Sequence, residues 1–440
     1  MSAAIGPPEV VALVDRRLRA GGSAHRESRA LVTTSVLQMF VSHPCDHRSM
    51  GTRVDSVESA ANAFARLADS EESVIPTYAR ICRVIAGDES LHSILLNAPM
   101  GQRLPVLVLA AIHDIVLRYP ESVLTPWYPT VSGVPPSESD PSGPLKSFVD
   151  THYDEIVGLV RHRRVQTNEV NRSVAWRLLL GRITSEDTRP LHLIELGASA
   201  GLNMTPDLHA CRVTSPQGSF TVGPDDARLV LHVDDPESMF TDPETWRIKA
   251  PISARVGIDE NPLDLADDSD ARWLKACTWP EQDDRFRALE TAISVIRDSR
   301  GSDGRVDGRV PLDMRTGDMI SGIGDLLDEV GADSHAVILS SWALAYVPRS
   351  ERTSLLDSIR SAALRLGERG SRVSLLTLEA PTTLAWVPVP ELPEGSPAEI
   401  VNASILAHTD FSSDGAGSGE PRSVAVARCH AHMWWLRPTG

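Results

Sequence analysis

One stretch constrains the fold more than any other: Leu191-His192-Leu193-Ile194-Glu195-Leu196-Gly197-Ala198-Ser199-Ala200-Gly201-Leu202-Asn203. A short apolar run closes on an acid and breaks into Gly-x-Ser-x-Gly. That is the pattern of a buried parallel strand handing over to a small-residue loop and a helix start. Small residues let a ligand approach the backbone, and free N–H groups at a helix start attract carboxylate or phosphate. The stretch therefore predicts a nucleotide-type binding turn at the carboxyl edge of an α/β sheet, against the plainer reading of an unliganded tight turn.

The chain downstream repeats this logic. Residues 254–259, 310–318, 336–341 and 372–379 read as strands, each closing on a polar residue, with helices expected over 267–297, 323–330 and 350–366. Such alternation is the signature of an open, doubly wound, Rossmann-like sheet. Residues 219–222 and 228–233 read as a β-hairpin around Gly223-Pro224-Asp225-Asp226, part of an insertion over about 212–250, and residues 423–436 as a final strand. Upstream the periodicity is helical, with helices expected over 10–18, 28–40, 57–67, 77–85, 91–96 and 104–119. The Pro/Ser/Gly-rich residues 131–144 read as a linker, and helix resumes over 148–182 in one piece or two. The expected organisation is an α-helical cap over 1–145 and a Rossmann-like domain over 146–440.

Charge limits the partners. A formal net charge of −16 over 440 residues argues against a broad nucleic-acid or anionic-membrane surface, although Arg161-His162-Arg163-Arg164 forms a local basic cluster. Five scattered cysteines without a Cys-x-x-Cys point to a reducing cytoplasm. No signal peptide is expected, since the first residues lack a charged and then apolar run. The apolar residues 104–117 contain His113 and Asp114 and are too short to span a bilayer, so they read as a core helix.

Several residues can carry chemistry. Asp259 ends the strand after the glycine loop, where a carboxylate accepts two bonds from a ribose diol. Its distance from Gly197 exceeds the usual spacing of about 20 residues, and the insertion accounts for the excess. Followed by Asn261-Pro262, Asp259 reads alternatively as a helix cap or Asx-turn. Asp318, Ser340, Ser341, Trp342 and Glu379 fall at strand ends, where ligands bind in such sheets, or where ordinary turn chemistry would put them. The polar run Gln166, Asn168, Glu169 and Arg172 either faces the ligand or forms a solvated helix face. His430 and His432, placed on one strand face beside Trp434 and Trp435, lack the companion ligands a zinc site requires, and no metal is expected. Gly197-Ala198-Ser199-Ala200-Gly201 also fits a hydrolase elbow, with Glu379 and a histidine following in order, but Glu195 would set a charge beside the oxyanion.

Glu195-Leu196-Gly197-Ala198-Ser199-Ala200-Gly201-Leu202-Asn203 resembles the signature of an uncharacterised bacterial family of unknown function, itself similar to class I S-adenosylmethionine-dependent methyltransferases. Matching pieces are Gln166-Thr167-Asn168-Glu169, residues 257–264, Arg272-Trp273-Leu274, Trp279-Pro280-Glu281-Gln282, Leu344-Ala345-Tyr346-Val347-Pro348 and Arg428-Cys429-His430-Ala431-His432. The usual methyltransferase loop is Gly-x-Gly-x-Gly, and here Ser199 takes the middle place.

The resemblance implies methyl transfer from S-adenosylmethionine to a small-molecule substrate. The glycine loop with Gly197, Ser199 and Gly201 would hold the methionyl part and Glu195 its ammonium, Asp259 would hold the ribose and Asp318 would sit near the adenine, with Asn203 and Asn261 also binding the cofactor. Gln166, Asn168, Glu169, Arg172, Trp342 and Tyr346 would enclose the acceptor, and Glu379, His430 or His432 would serve as base. The alternatives are acyl or aminoacyl transfer, with a carrier protein or tRNA as partner, and a non-catalytic ligand-binding protein.

Overall fold

The computed structural model describes residues 54–167, 169–298, 310–389, 403–412 and 420–439. The helices expected over 10–18 and 28–40, and Asn168, lie outside these residues. The architecture is the expected α/β one. Eight strands form one sheet in the order β11-β10-β9-β8-β7-β1-β5-β6. They are β1 (Leu191–Leu196), β5 (Ile252–Asp259), β6 (Leu312–Thr316), β7 (His335–Ser341), β8 (Arg372–Glu379), β9 (Ala403–Asp410), β10 (Arg422–His430) and β11 (Leu436–Arg437). From β8 to β6 every pairing is parallel, and β9, β10 and β11 add antiparallel. The strand order reverses between β1 and β7, the switch point at which such sheets bind ligands.

The central parallel strands β1, β7 and β8 are buried runs because both faces are covered, whereas the edge strand β6 is polar and half-exposed. All six residues of β1 are buried. On one face Ile194, Ile338 and Leu375 pack with Ile323, Leu327, Leu355 and Ile359 of α8 (Met319–Asp328) and α9 (Arg349–Gly367). On the other, Leu193, Val337, Leu339 and Leu376 join a core shared with α5 (Ser173–Glu186) and the N-terminal helices α1 (Val57–Glu71), α2 (Pro76–Gly87), α3 (Pro105–Arg118) and α4 (Ser142–His162). The alternation follows the period of two along a strand. Helices α6 (Asp268–Ala276) and α7 (Asp283–Asp298) connect β5 to β6.

Residues 131–144 run against the helices rather than away from them: Arg80 Nη2 donates to Ser137 O at 2.8 Å and Trp127 Nε1 to Ser139 O at 3.2 Å.

Three local expectations are corrected. The glycine loop leads into a single 3-10 turn, Leu202–Met204, and not into an α-helix. The chain leaves at once for the insertion, so no helix dipole stands behind the loop. The insertion is a three-stranded sheet in the order β3-β2-β4. Its hairpin joins β2 (Ala210–Ser215) to β3 (Gly218–Val222), and β4 (Val230–Asp234) pairs parallel to β2 on the other side. Gly223-Pro224-Asp225-Asp226 links β3 to β4, which lie on opposite sides of β2 and do not pair, and the hairpin turns at Ser215-Pro216-Gln217-Gly218 instead. Finally, β10 ends at His430 and the chain turns before β11, so His432 is not on a strand.

Candidate functional site

The loop after β1 is riveted to the turn after β5. Gly197 N and Ala198 N both donate to Ile258 O, at 2.9 and 3.2 Å. Ser199 N donates to Asp259 Oδ2 at 2.9 Å and Asn261 N to Asp259 Oδ1 at 2.8 Å, while Ser199 O accepts from Leu263 N at 3.0 Å. Asp259 thus forms the Asx-turn, and as a half-buried carboxylate it also braces the glycine loop. Gly197, Ser199 and Gly201 have φ of 66°, 53° and 73°. A Cβ at Gly197 would sit 2.8 Å from Ala343 Cβ, and one at Gly201 2.7 Å from Met314 Sδ. Close packing of the protein's own chain therefore accounts for both glycines.

Two polar atoms inside this corner have no hydrogen-bond partner among the described residues: Glu195 Oε2 and Ser199 Oγ. Burial pushes the Glu195 carboxyl up to about 8; the Asn203 amide pulls it down, Asp259 pushes it further up and Arg172 opposes. Near pH 7 Glu195 is mostly protonated. Asn203, itself buried, also accepts from Ser173 Oγ at 3.3 Å.

The upstream polar run is largely buried rather than solvated. Gln166 Nε2 donates to Asn261 O at 2.8 Å, tying the run to the turn after β5. Glu169 Oε2 lies 2.6 Å from Arg285 Nε and 3.0 Å from His432 Nδ1. Burial alone would raise the Glu169 pKa, but Arg285, His432 and Arg172 together hold it far below the carboxylate range. Asn171 Nδ2 donates to His232 O, His432 O and Met433 O, clamping the insertion to the C-terminal turn. Arg172 donates from Nε to Ala431 O at 2.9 Å and from Nη1 to Ser341 O and Oγ, both at 3.2 Å.

The C-terminal turn places its histidines at the edge of this cluster. His430 stacks on Trp434 with ring centroids 4.3 Å apart, and its Nδ1 accepts from His432 N at 3.0 Å. Burial lowers the pKa of both rings, that of His432 to about 4, with Arg285 adding to the effect and Glu169 opposing it. Glu379 is fully buried; its Oε1 accepts from Ser340 Oγ, Ala343 N and Leu344 N at 2.8, 3.0 and 3.1 Å. Those bonds shape the loop after β7, and Oε2 is left without a hydrogen bond among the described residues. Trp342, at φ 56°, donates from Nε1 to Ser404 Oγ at 3.0 Å. Tyr346 exposes 49% of its surface, yet its phenol feels Arg172 and Glu379, so the ring straddles the boundary of the cluster. Asp318 is exposed; its Oδ1 caps α8 by accepting from Ile320 N and Ser321 N at 3.2 and 2.8 Å.

The structure thus gathers Glu195, Ser199, Asn203, Arg172, Glu169, Glu379 and His432 around the switch point and leaves Asp318 on a helix cap. The basic cluster is committed elsewhere: Arg161 to Asn97, Arg163 to Asp270, and Arg164 to Glu260. Sequence reasoning missed Arg285, whose partner Glu169 lies far away in the chain, and it missed the clamp made by Asn171. The nearest signal for Arg285 was Gln282, which accepts from Arg285 Nη1 at the start of α7. Two surface cavities, about 490 Å³ along α4 at Lys146 and Asp150 and about 280 Å³ at Leu265 and Arg297, contain none of the buried charges.

Among the described residues no helix is long and apolar enough to cross a membrane. No curated protein matches the chain. One family model, described as an uncharacterized protein conserved in bacteria (DUF2332), matches residues 61–437, which takes in the helices, the sheet, the insertion and the C-terminal turn. The chain therefore belongs to the DUF2332 family of bacterial proteins.

Proposed function

We propose that this protein transfers a methyl group from S-adenosylmethionine to a small-molecule acceptor. The observation that carries the reading is the corner between β1 and β5. A loop in left-handed conformation is tied by Ser199 N to Asp259, with the unpartnered Glu195 Oε2 and Ser199 Oγ buried inside it. A buried polar atom without a partner is costly, and a ligand that supplies one is bound tightly for that reason. Glu195 would accept the methionyl ammonium and ionise as it does so. Ser199 would donate to a neighbouring ligand oxygen. Each Asp259 oxygen keeps a second lone pair for the ribose hydroxyls. Asp318 Oδ1 is taken by the cap, so Oδ2 would meet the adenine amino group.

S-adenosylmethionine, when bound, supplies an already activated methyl group, and the chain's own task is alignment and exclusion of water. Tyr346 and Trp342 would flank the acceptor, with Gln166, Glu169 and Arg172 beneath. An acceptor that must lose a proton would give it to Glu379 Oε2, which carries no hydrogen bond among the described residues, or to Nε2 of His432, the basic nitrogen when Nδ1 faces Glu169. Acyl transfer through Ser199 gains no support from its surroundings: among the described residues no histidine bonds to its hydroxyl.

Calorimetric titration of the full chain with S-adenosylmethionine and S-adenosylhomocysteine tests the reading. Micromolar binding, weakened at least tenfold in Asp259→Asn, is expected. A folded sample that binds neither would sink it, and binding without turnover on any acceptor would favour the non-catalytic alternative.

A further inference from the structure

Arg172 is only 5% exposed, yet it makes no ion pair among the described residues. Its Nε and Nη1 donate to Ala431 O and to Ser341 O and Oγ, all neutral acceptors, and Nη2 donates to none of the described residues. A guanidinium does not lose its proton, so it cannot escape burial by neutralising itself. Another buried arginine of this chain, Arg255, is paired in the ordinary way, with Asp207 at 2.6 Å.

Two acids face Arg172, Glu169 and Glu379, and neither forms an ion pair with it among the described residues. Glu169 is held by Arg285 and His432. Glu379 turns Oε1 to Ser340, Ala343 and Leu344, and its Oε2, free of hydrogen bonds among the described residues, acts on Arg172 only from a distance. Glu195 pairs with Asn203 and is mostly neutral near pH 7. Arg285 brings a second positive charge to the same cluster, so one carboxylate, Glu169, serves two guanidinium groups. A buried charge left in this state needs a counter-ion.

We propose that Arg172 is the seat for a carboxylate carried by a bound small molecule. Arg172 lies between the strand end at Ser341 and the C-terminal turn at Ala431, at the switch point where such sheets take their ligands. The proposal deepens the reading above and rests on it only for the source of the carboxylate, which is either the methionyl end of the cofactor or the acceptor.

Calorimetry on the full-length wild type, Arg172→Lys and Arg172→Gln separates the two sources. The ligands are S-adenosylhomocysteine, its decarboxylated analogue, succinate and succinamide. If the cofactor supplies the carboxylate, wild type prefers S-adenosylhomocysteine over the analogue by roughly 10- to 100-fold, the worth of a hydrogen bond to a charged group, and Arg172→Gln loses the preference. If the acceptor supplies it, the two adenosyl ligands bind alike, succinate binds, succinamide does not, and Arg172→Gln abolishes the succinate heat. Succinate binding without any adenosyl ligand would retire the cofactor and keep the carboxylate seat. Equal affinities within both pairs, or discrimination that persists in folded Arg172→Gln, would overturn the proposal. Should the variants fail to fold by circular dichroism, thermal melts of wild type with each ligand pair at matched ionic strength decide it. A higher Tm with the carboxylate member supports the seat, and equal Tm within both pairs overturns it.

Discussion

At the amino edge of the central sheet Asp187, His335, Ser374 and His408 form a chain with one unaligned link, at His335 Nδ1, whereas at the carboxyl edge Glu195, Ser199, Arg172 and Glu379 each keep an unused donor or acceptor. His335 Nδ1 lies 3.2 Å from Asp187 Oδ2, His335 Nε2 lies 2.9 Å from Ser374 Oγ, and His408 Nε2 lies 2.9 Å from the same hydroxyl. The carboxylate requires a proton on His335 Nδ1, so His335 Nε2 accepts from Ser374 and His408 Nε2 donates to it. Asp, His and Ser stand here in the bonding order of a hydrolytic triad, but the serine is 1% exposed and meets no substrate. Two ends of one sheet thus use the same residue types for opposite purposes. A network tied at nearly every atom rigidifies, whereas one with several open donors and acceptors has room for a ligand to complete it.

The largest effect expected to test this contrast is acid sensitivity at the amino edge. Burial lowers the His335 pKa to about 4 from an ordinary 6.5, with Asp187 opposing and Arg372 assisting. The unfolded chain therefore takes up a proton that the folded chain refuses between those values. Stability from this group is complete above pH 6.5 and falls as pH drops toward 4, by on the order of 3 kcal/mol. Urea melts across that range should show a shallower loss in His335→Gln. Parallel profiles would mean that the burial of His335 is not what resists protonation.

A smaller effect is expected at the glycine loop. Gly197→Ala forces φ 66° on a residue with a Cβ and drives that atom to 2.8 Å from Ala343. Destabilisation of about 1–3 kcal/mol should follow, partly relieved by Ala343→Gly, as read from urea midpoints. Absence of relief would place the cost in backbone strain alone.

The smallest and most specific signal is a proton. Glu195 is held near 8, so an ammonium arriving beside its carboxyl at pH 7 should displace up to about one proton. The release fades above pH 8, where the carboxyl is already ionised. Titrations with S-adenosylhomocysteine in phosphate and Tris should differ in heat accordingly, and Glu195→Gln should remove the difference. Identical heats in wild type would move the ammonium away from Glu195.

Much of the carboxyl edge was legible in advance. Glu195, Asp259 and Glu379 each fall on the last residue of a strand or one before it, as apolar runs ending in an acid suggest. The second reading offered for Asp259, an Asx-turn, is present in the bonds to Asn261 and Ser199. The insertion was misjudged because a local turn signature outweighed pairing between strands whose partners lie on both sides. His432 was misplaced because the apolar residues flanking it look like strand whether or not the chain turns.

The sequence by itself determined the sheet and its acid-tipped strands. These depend on short-range patterns: consecutive apolar residues for strands buried on both faces, and a period near 3.6 for the helices against them. Only the tertiary structure decided which polar groups are satisfied and which are left open. Glu169 meets Arg285 and His432, Asn171 meets Met433, and Arg172 meets Ser341 and Ala431. Each of these contacts joins residues more than a hundred positions apart. A side chain's partner across such a distance depends on how whole elements pack, and no local pattern encodes it.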